Sequence, residues 1–483
     1  MTAQDRAIRS ICVAGAGLVG LSAAVAFARA LPGARITILA TPPDPAALAD
    51  RLPASLPTIH RFHFAAGLDE LDLVRSGIAS HLLGSRFDHW SASGQPWYHV
   101  FDEYGMPAGG APFHAVWQRV RENRRALPFH RYAAAAALAQ AGKFVHPSPD
   151  PQSPLANFLY ALRLDPDLYR ERLRSAAATA TWEQGEIGGV ERRADGGIAA
   201  LLLKDGRRIE ADLYLDCAGP TAPLLHALDP RFEIWSEWLP CDRLVLGNEP
   251  AEAPAPFEAI EATGGGWRLR SPLPDRTLIA ELSCSAFAES APDAIALRCG
   301  RRPDPWIHNV LALGDAAVAV DPLHSTNLHL AQSAILRALE LLPGRDCHEL
   351  ELREYNRRTA EETARIRDFL ALHYLRSGRR DSPFWEAMAG RRLPDSLART
   401  LEQFERRGRL PFFEEESFNR QSWLAALLGL GVLPLAADPL AAGVDLDRAG
   451  AAMEGLAERL AALAGRAPPY ADLLARMRAA ARP

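Results

Sequence analysis

Residues 10 to 40 constrain the fold of this chain more than any other stretch. Ile11-Cys12-Val13-Ala14 is a short apolar run, and Gly15-Ala16-Gly17-Leu18-Val19-Gly20 follows it directly. An alanine-rich segment runs from Leu21 to Leu31 and ends at Pro32-Gly33, ahead of Arg35-Ile36-Thr37-Ile38-Leu39. The pattern reads as strand, tight turn, helix, strand. In such a turn the first glycine permits the bend, the second lets the backbone approach a pyrophosphate, and the third lets helix and strand pack closely. The helix N-terminus then offers free N–H groups to the phosphates. A lone GxGxxG is weak, but the strand–turn–helix–strand context predicts dinucleotide binding by Gly15, Ala16, Gly17, Leu18 and Gly20. About 20 residues further on, such folds place an acidic residue on the ribose. Ala40 stands there, and Asp44 in the following loop is the nearest substitute. The competing reading is a glycine turn used only for packing.

A second apolar run, Val310-Leu311-Ala312-Leu313, leads into Gly314-Asp315 and a helix. An Asp so placed in a two-part flavin fold bonds the ribityl chain, which points to FAD rather than NAD. The amides near Gly17 and Gly314 are thus expected to converge on one cofactor. Between these points, 41–57 reads as a proline- and alanine-rich loop and 158–181 as helical, while 182–216 and 235–290 read as strands. The stretch 58–150 is mixed and carries Trp90, Trp97, Tyr98, His99, Tyr104 and Trp117. From 350 onward the chain reads as mostly helical with proline breaks near 383, 411 and 434. Its tail, 448–483, is amphipathic and expected to pack on the body or a partner. The predicted class is mixed α/β: a Rossmann-like FAD-binding module over 1–350, with substrate segments at about 58–150 and 220–300, then a helical region over 351–483.

Composition narrows the function classes. The net charge is −5 and basic clusters such as Arg379-Arg380 are short, so no sustained basic face for nucleic acid is expected. Six cysteines lack CxxC spacing, which gives no zinc pattern and no metal site. The polar start MTAQDRAIRS and the lack of a spanning apolar run predict a cytoplasmic protein without a membrane partner.

Several motifs together resemble the flavin-dependent tryptophan halogenases over nearly the whole chain. Besides Gly15–Gly20, Phe87-Asp88-His89-Trp90 with Gly94 and Tyr98-His99 is similar to a family segment ending in F-x-x-W. Residues 211–219, ADLYLDCAG, resemble ADLFIDCSG. Asp321-Pro322-Leu323-His324-Ser325-Thr326 resembles EPLEST. His373-Tyr374, preceded by Arg367-Asp368-Phe369, and then Arg380-Asp381-Ser382-Pro383-Phe384-Trp385 resembles HY…RDTPFW. Gly429-Leu430-Gly431-Val432-Leu433-Pro434 is similar to GLGMLP. Pro383–Trp385 and Gly429–Pro434 are expected to mark shared core and turns, not chemistry. The resemblance implies FAD reduced by a separate flavin reductase, a small aromatic substrate, and flavin contacts from Pro322 and Ser325 as well as Gly314 and Asp315. It also implies a halide site at Thr326 and the residue after it, a lysine that directs hypohalous acid at indole, and an assisting glutamate. Oligomeric state, a homodimer included, stays open.

Five places depart from the family. Counting back without gaps from Trp90 puts the lysine position at Leu82, and a leucine offers no amine. The nearest cation, Arg86, is a different chemical group. The glutamate position is His324, whose imidazole could act as acid or base. The glycine after Thr326 is Asn327. The WxWxIP signature has become Trp267-Arg268-Leu269-Arg270-Ser271-Pro272, with Trp267 the candidate substrate residue. The GEAT loop near the flavin is replaced by Leu52-Pro53-Ala54-Ser55. The expected function is FAD-dependent monooxygenation of an indole-like substrate without the lysine route. Two alternatives stand beside it: a non-catalytic partner protein, and a halogenase with a substituted lysine.

Overall fold

A computed structural model describes residues 7–52, 54–122, 126–289 and 291–479. Pro53 therefore lies outside the described residues. The chain forms two compact units. The first draws on the chain up to Ala79, on Arg163–Ser236 and on Ile295–Ala364; the second draws on Ser80–Leu162, Glu237–Ala294 and the chain from Arg365 onward.

The first unit is built on a six-stranded sheet. Its strands run Trp306–Ile307, Val310–Ala312, Leu213–Asp216, Ser10–Ala14, Arg35–Ala40 and Thr181–Gln184, in that spatial order. All pairs are parallel except the first. Ile11 aligns with Leu213 on one side and Ile36 on the other. Strands flanked on both sides read as continuous apolar runs, because neither face meets water. Ile11 to Ala14 and Val310 to Ala312 are accordingly buried throughout. Since the pairing is parallel, Gly15 and Gly314 leave the sheet at the same carboxyl edge, where open α/β sheets take their ligands.

The aspartates of the ADLYLDCAG run tie down the two ends of the Leu213–Asp216 strand. Asp212 accepts from the Arg9 and Ser10 amides at 2.8 and 3.1 Å. Asp216 accepts from Leu224 and Leu225 at 2.8 and 3.0 Å, capping the Pro223–Leu228 helix. The expected helix over 158–181 divides in the structure: Ala161–Leu164 is a strand, and the helix is Pro166–Ala176. Asp165 caps its start by accepting from Asp167 and Leu168, with Pro166 at the first helical position. A proline there loses no intrahelical hydrogen bond, and it disfavours helical geometry in the residue before it.

In the second unit the strands Arg243–Pro250, Arg276–Ser283, Gly266–Pro272, Glu258–Ala262, Gly84–Asp88 and Trp97–Val100 are neighbours in that order. Glu258–Ala262 and Gly84–Asp88 pair in parallel; the others are antiparallel. Helices Phe113–Glu122, Ala134–Gln140, Pro383–Ala389, Asp395–Arg407, Arg420–Gly429, Leu446–Arg466 and Tyr470–Ala479 belong to the same unit. Among the described residues, no helix is long and apolar enough to cross a membrane.

Candidate functional site

The glycine turn is a cradle kept clear of side chains. Gly15 has φ +113°, and its amide donates to the Leu39 carbonyl at 2.9 Å. A Cβ on Gly15 would run into the Cys217 carbonyl, and one on Gly20 into the Gly15 carbonyl. Gly17 is extended and caps the Leu18–Ala30 helix without a side chain, so the first helical amides have no cap of their own. Gly314, at φ +58°, leaves room for Val19 of that helix: a Cβ on it would lie 2.8 Å from Val19 Cγ2. The two glycine turns therefore abut. A cradle of this shape at a helix N-terminus fits the pyrophosphate of a dinucleotide.

A carboxylate already lies in the cradle. Asp50, closing the short Leu48–Asp50 helical turn, accepts from the Leu18 amide and occupies the space that a Gly17 side chain would need. Asp315 accepts from the Ala49 amide at 3.1 Å and from Asn327 Nδ2 at 3.4 Å. Burial pushes the Asp315 carboxyl up to about 7, and the nearby Asp50 charge pushes the same way. Ala40 ends its strand, and the Asp44 side chain turns back on the Ala46 amide at 2.9 Å.

The turn ahead of the Thr326–Glu340 helix is strained. His324 and Ser325 have φ of +60° and +54°, which costs non-glycine residues about 1–2 kcal/mol each. Both are buried, and the Ser325 amide donates to the Pro322 carbonyl at 2.8 Å. Strain of this kind concentrates at ligand clamps and active sites. Beside it, Thr326 Oγ1 and Asn327 Oδ1 are buried without a hydrogen-bond partner in the protein. Asn327 Nδ2 donates to the Val320 carbonyl at 3.0 Å, tying the turn to the preceding strand. One helix turn later, His329 Nδ1 meets Thr58 Oγ1 at 2.8 Å and Nε2 faces Glu362 at 3.5 Å.

The second unit gathers the remaining motif residues into an aromatic core. Trp90, Trp267 and Trp385 are each at most 1% exposed. Trp90 stands edge-on to Trp385 at 5.6 Å and to Tyr374 at 5.9 Å. Trp267 donates its indole N–H to Tyr374 Oη at 2.7 Å. A Cβ on Gly429 would overlap the Trp97 ring, so that motif glycine admits a helix against the core. Burial pushes His99 down to about 3, with His373 adding to it, and burial pushes His373 down to about 4. Leu82, ending the Ala79–Leu82 strand, is buried.

A cavity of about 740 Å³ opens elsewhere in this unit, with Phe412, Phe413 and Trp423 among its walls. The Arg365 guanidinium lies 3.9 Å from the centre of the Phe413 ring and 4.3 Å from that of Trp423. Its Nε donates to Glu416 at 2.8 Å and Nη1 to Thr400 at 3.2 Å. Ligand sites in proteins are of this size and make-up, mostly apolar with a few fixed charges.

The structure thus brings Gly15, Gly17, Leu18, Gly20, Gly314, Asp315 and Asn327 to one place, and it packs Trp267 into a core. Sequence reading missed Asp50 and the cavity. Asp50 sits in a loop with no motif, and the cavity draws on helices whose charges read as solvated surface.

The tryptophan halogenase family model matches residues 10–446. Tryptophan 7-halogenase RebH of Lentzea aerocolonigenes is 26% identical, over 89% of this chain and 91% of its own. Among solved structures, a flavin-dependent halogenase from Brevundimonas sp. BAL3 superposes with a TM-score of 0.91 at 33% identity, covering 97% of this chain and 99% of its own. One from Xanthomonas campestris gives 0.90 at 32%, covering 98% and 99%.

Proposed function

The chain belongs to the tryptophan halogenase family, and on that premise we propose that it is an FAD-dependent oxidoreductase acting with oxygen on an aromatic, indole-like substrate, without lysine-directed halogen transfer. The observation that carries this reading is the abutment of the two glycine turns, Gly15–Gly20 and Gly314–Asp315, at one sheet edge. Bound reduced flavin supplies two electrons, so that with two protons one atom of O₂ enters the ring and the other leaves as water. The protein's part is positioning. The Leu18–Ala30 helix end would hold the pyrophosphate, Asp315 would accept from the ribityl chain, and Pro322 and Ser325 would contact the flavin. Thr326 Oγ1 and Asn327 Oδ1, buried with hydrogen-bonding capacity unused by the protein, would be the polar groups offered to the flavin or a halide. His324, held by the strained turn, serves as the proton-handling group in place of the family glutamate. The cavity of the second unit, with Phe413 and Trp423 among its walls, has the apolar lining that an aromatic substrate would need. Reduced FAD comes from a separate flavin reductase, as the family implies.

Leu82 is the reason to set halogenation aside. At the family lysine position it presents an aliphatic side chain, which can neither form a chloramine nor donate a hydrogen bond. The test uses purified protein with NADH, a flavin reductase, bromide, ¹⁸O₂ and a panel of indoles. Label in the product and no bromine is expected. Brominated product from the unaltered chain would refute the non-halogenating reading in favour of a halogenase with a substituted lysine, and Leu82→Lys is the matching gain-of-function variant. A second reading, a cofactor-free partner protein, draws on the Asp50 carboxylate in the cradle. Protein that takes up no FAD even at millimolar concentration would establish it.

A further inference from the structure

The helix Arg420–Gly429 borders two cavities. Trp423 lines the one beside Arg365, while Ala425, Leu428 and Gly429 line another of about 310 Å³. At about 100° per residue these positions fall on opposite faces of the helix. Rings wall the smaller cavity: Trp97, Trp117 and Phe129 are at most 6% exposed, and Trp117 stands edge-on to Phe129 at 5.3 Å. Trp117 donates its indole N–H to the Leu127 carbonyl at 2.9 Å, but Trp97 Nε1 is buried with no hydrogen-bond partner. The His130 ring packs on Tyr98 at 5.4 Å, and among the described residues nothing hydrogen-bonds to it. Burial pushes His130 down to about 4, with the Arg131 charge adding to it, so near neutral pH the ring keeps one N–H and one lone pair. Arg121 and Arg131 are the charged groups of the lining, which holds no carboxylate among the described residues. Neither is ion-paired among the described residues, and the Arg121 guanidinium lies 5.8 Å from the centre of the Trp117 ring.

We propose that this smaller cavity is a second small-molecule site, which takes an aromatic carboxylate of one or two rings. The assignment is independent of FAD and of the cavity beside Arg365. Size points to a small ligand, because 310 Å³ is at the low end of the roughly 300–1,000 Å³ range of ligand sites. The rings point to an aromatic one, since Trp117 and Phe129 offer a flat apolar wall and the stacked or edge-on contacts that ring pairs favour. The charge points to an anion. Two guanidinium groups with no acidic residue beside them in the lining attract a carboxylate and present paired donors that match its two oxygens. The indole N–H of Trp97 adds to this: a buried donor without a partner is costly, and a ligand oxygen removes that cost.

The experiment is titration calorimetry on the full chain with indole-3-carboxylate, and with indole-3-carboxamide as its uncharged counterpart. The carboxylate is expected to bind with a Kd below about 1 mM, and the amide roughly tenfold more weakly. Arg121→Ala and Arg131→Ala should each weaken the carboxylate by roughly tenfold, as for one charge-assisted hydrogen bond, and leave the amide unchanged. Leu428→Trp places a larger side chain in the cavity and should abolish binding of both. Phe413→Ala alters only the cavity beside Arg365 and should leave the carboxylate's affinity as it was. If Leu428→Trp fails to fold, the two arginine variants carry the test, because Arg121 is exposed and Arg131 only half-buried. Equal affinity for carboxylate and amide would overturn the proposal. So would binding unmoved by both arginine substitutions, binding lost in Phe413→Ala, or no heat of binding from the unaltered chain at about 10 mM ligand, well above the expected Kd.

Discussion

The glycine cradle of the first unit and the tryptophan core of the second both carry family motifs, and they use them in opposite ways. At Gly15, Gly20 and Gly314 the motif residue keeps atoms out, because any side chain would strike backbone or a neighbouring helix. At Trp90, Trp267 and Trp385 it fills a space completely. A glycine at such a point marks a close approach of backbone or helix that leaves the Leu18–Ala30 helix without a side-chain cap, whereas a buried tryptophan marks packing alone. Trp267 shows the risk of treating them alike: its place in a signature made it a substrate candidate, yet its indole N–H is bonded to Tyr374 inside the core.

Substitutions can break or sharpen this contrast. The largest effect is expected from Trp90→Ala, which empties a fully buried site among five aromatic neighbours including His373. It should cost about 4 kcal/mol in urea unfolding, with FAD affinity retained in whatever fraction stays folded. Loss of FAD binding at full stability would contradict the packing assignment. Gly20→Ala comes next. Its new methyl meets the Gly15 carbonyl, an overpacking cost of about 3 kcal/mol, and here FAD binding should fail together with stability. Normal flavin uptake by that variant would remove the cradle from the site.

Asp315→Asn should act through pH, on the order of 2 kcal/mol between pH 5 and 8. Burial raises the folded carboxyl from 3.8 to about 7, so the folded state binds the proton more tightly than the unfolded one. The stabilisation this gives is largest near pH 4 and is lost as pH rises through 7. The amide has no proton to lose, so the variant should gain stability relative to the parent on going from pH 5 to 8 in thermal melts. Parallel pH profiles for the two proteins would show that Asp315 is already ionised when folded. Smallest is Trp267→Phe, which keeps most of the ring and loses one buried hydrogen bond to Tyr374, about 1 kcal/mol. A large change in substrate affinity from that variant, with stability intact, would return Trp267 to the site.

How much was legible in the sequence depended on whether the signal was local. The strand–turn–helix over Ser10–Ala30, the strand before Gly314 and the helices beyond Glu349 each follow from periodicity and glycine placement within a few residues. The helix start at Asp165-Pro166 was equally local, but it was overlooked inside a longer helical-looking pattern. Asp50 was out of reach. Its importance comes from Leu18, Gly17 and Asp315, and nothing within a turn of it marks an anion site. The cavity beside Arg365 was out of reach for a similar reason, since a guanidinium between two rings looks in sequence like any surface arginine.

The sequence alone determined the βαβ cradle, the second flavin-type turn, and the identities of the residues at positions 82, 324 and 327, because these are facts of local geometry and of chemical type. Tertiary structure decided which groups share a space: that Val19 touches the Gly314 turn, that a carboxylate thirty-odd residues away sits on the helix end, and that Trp267 lies in a core. The reason is that burial and pairing depend on distances between parts of the chain far apart in order. No local pattern encodes those distances, and folding alone sets them.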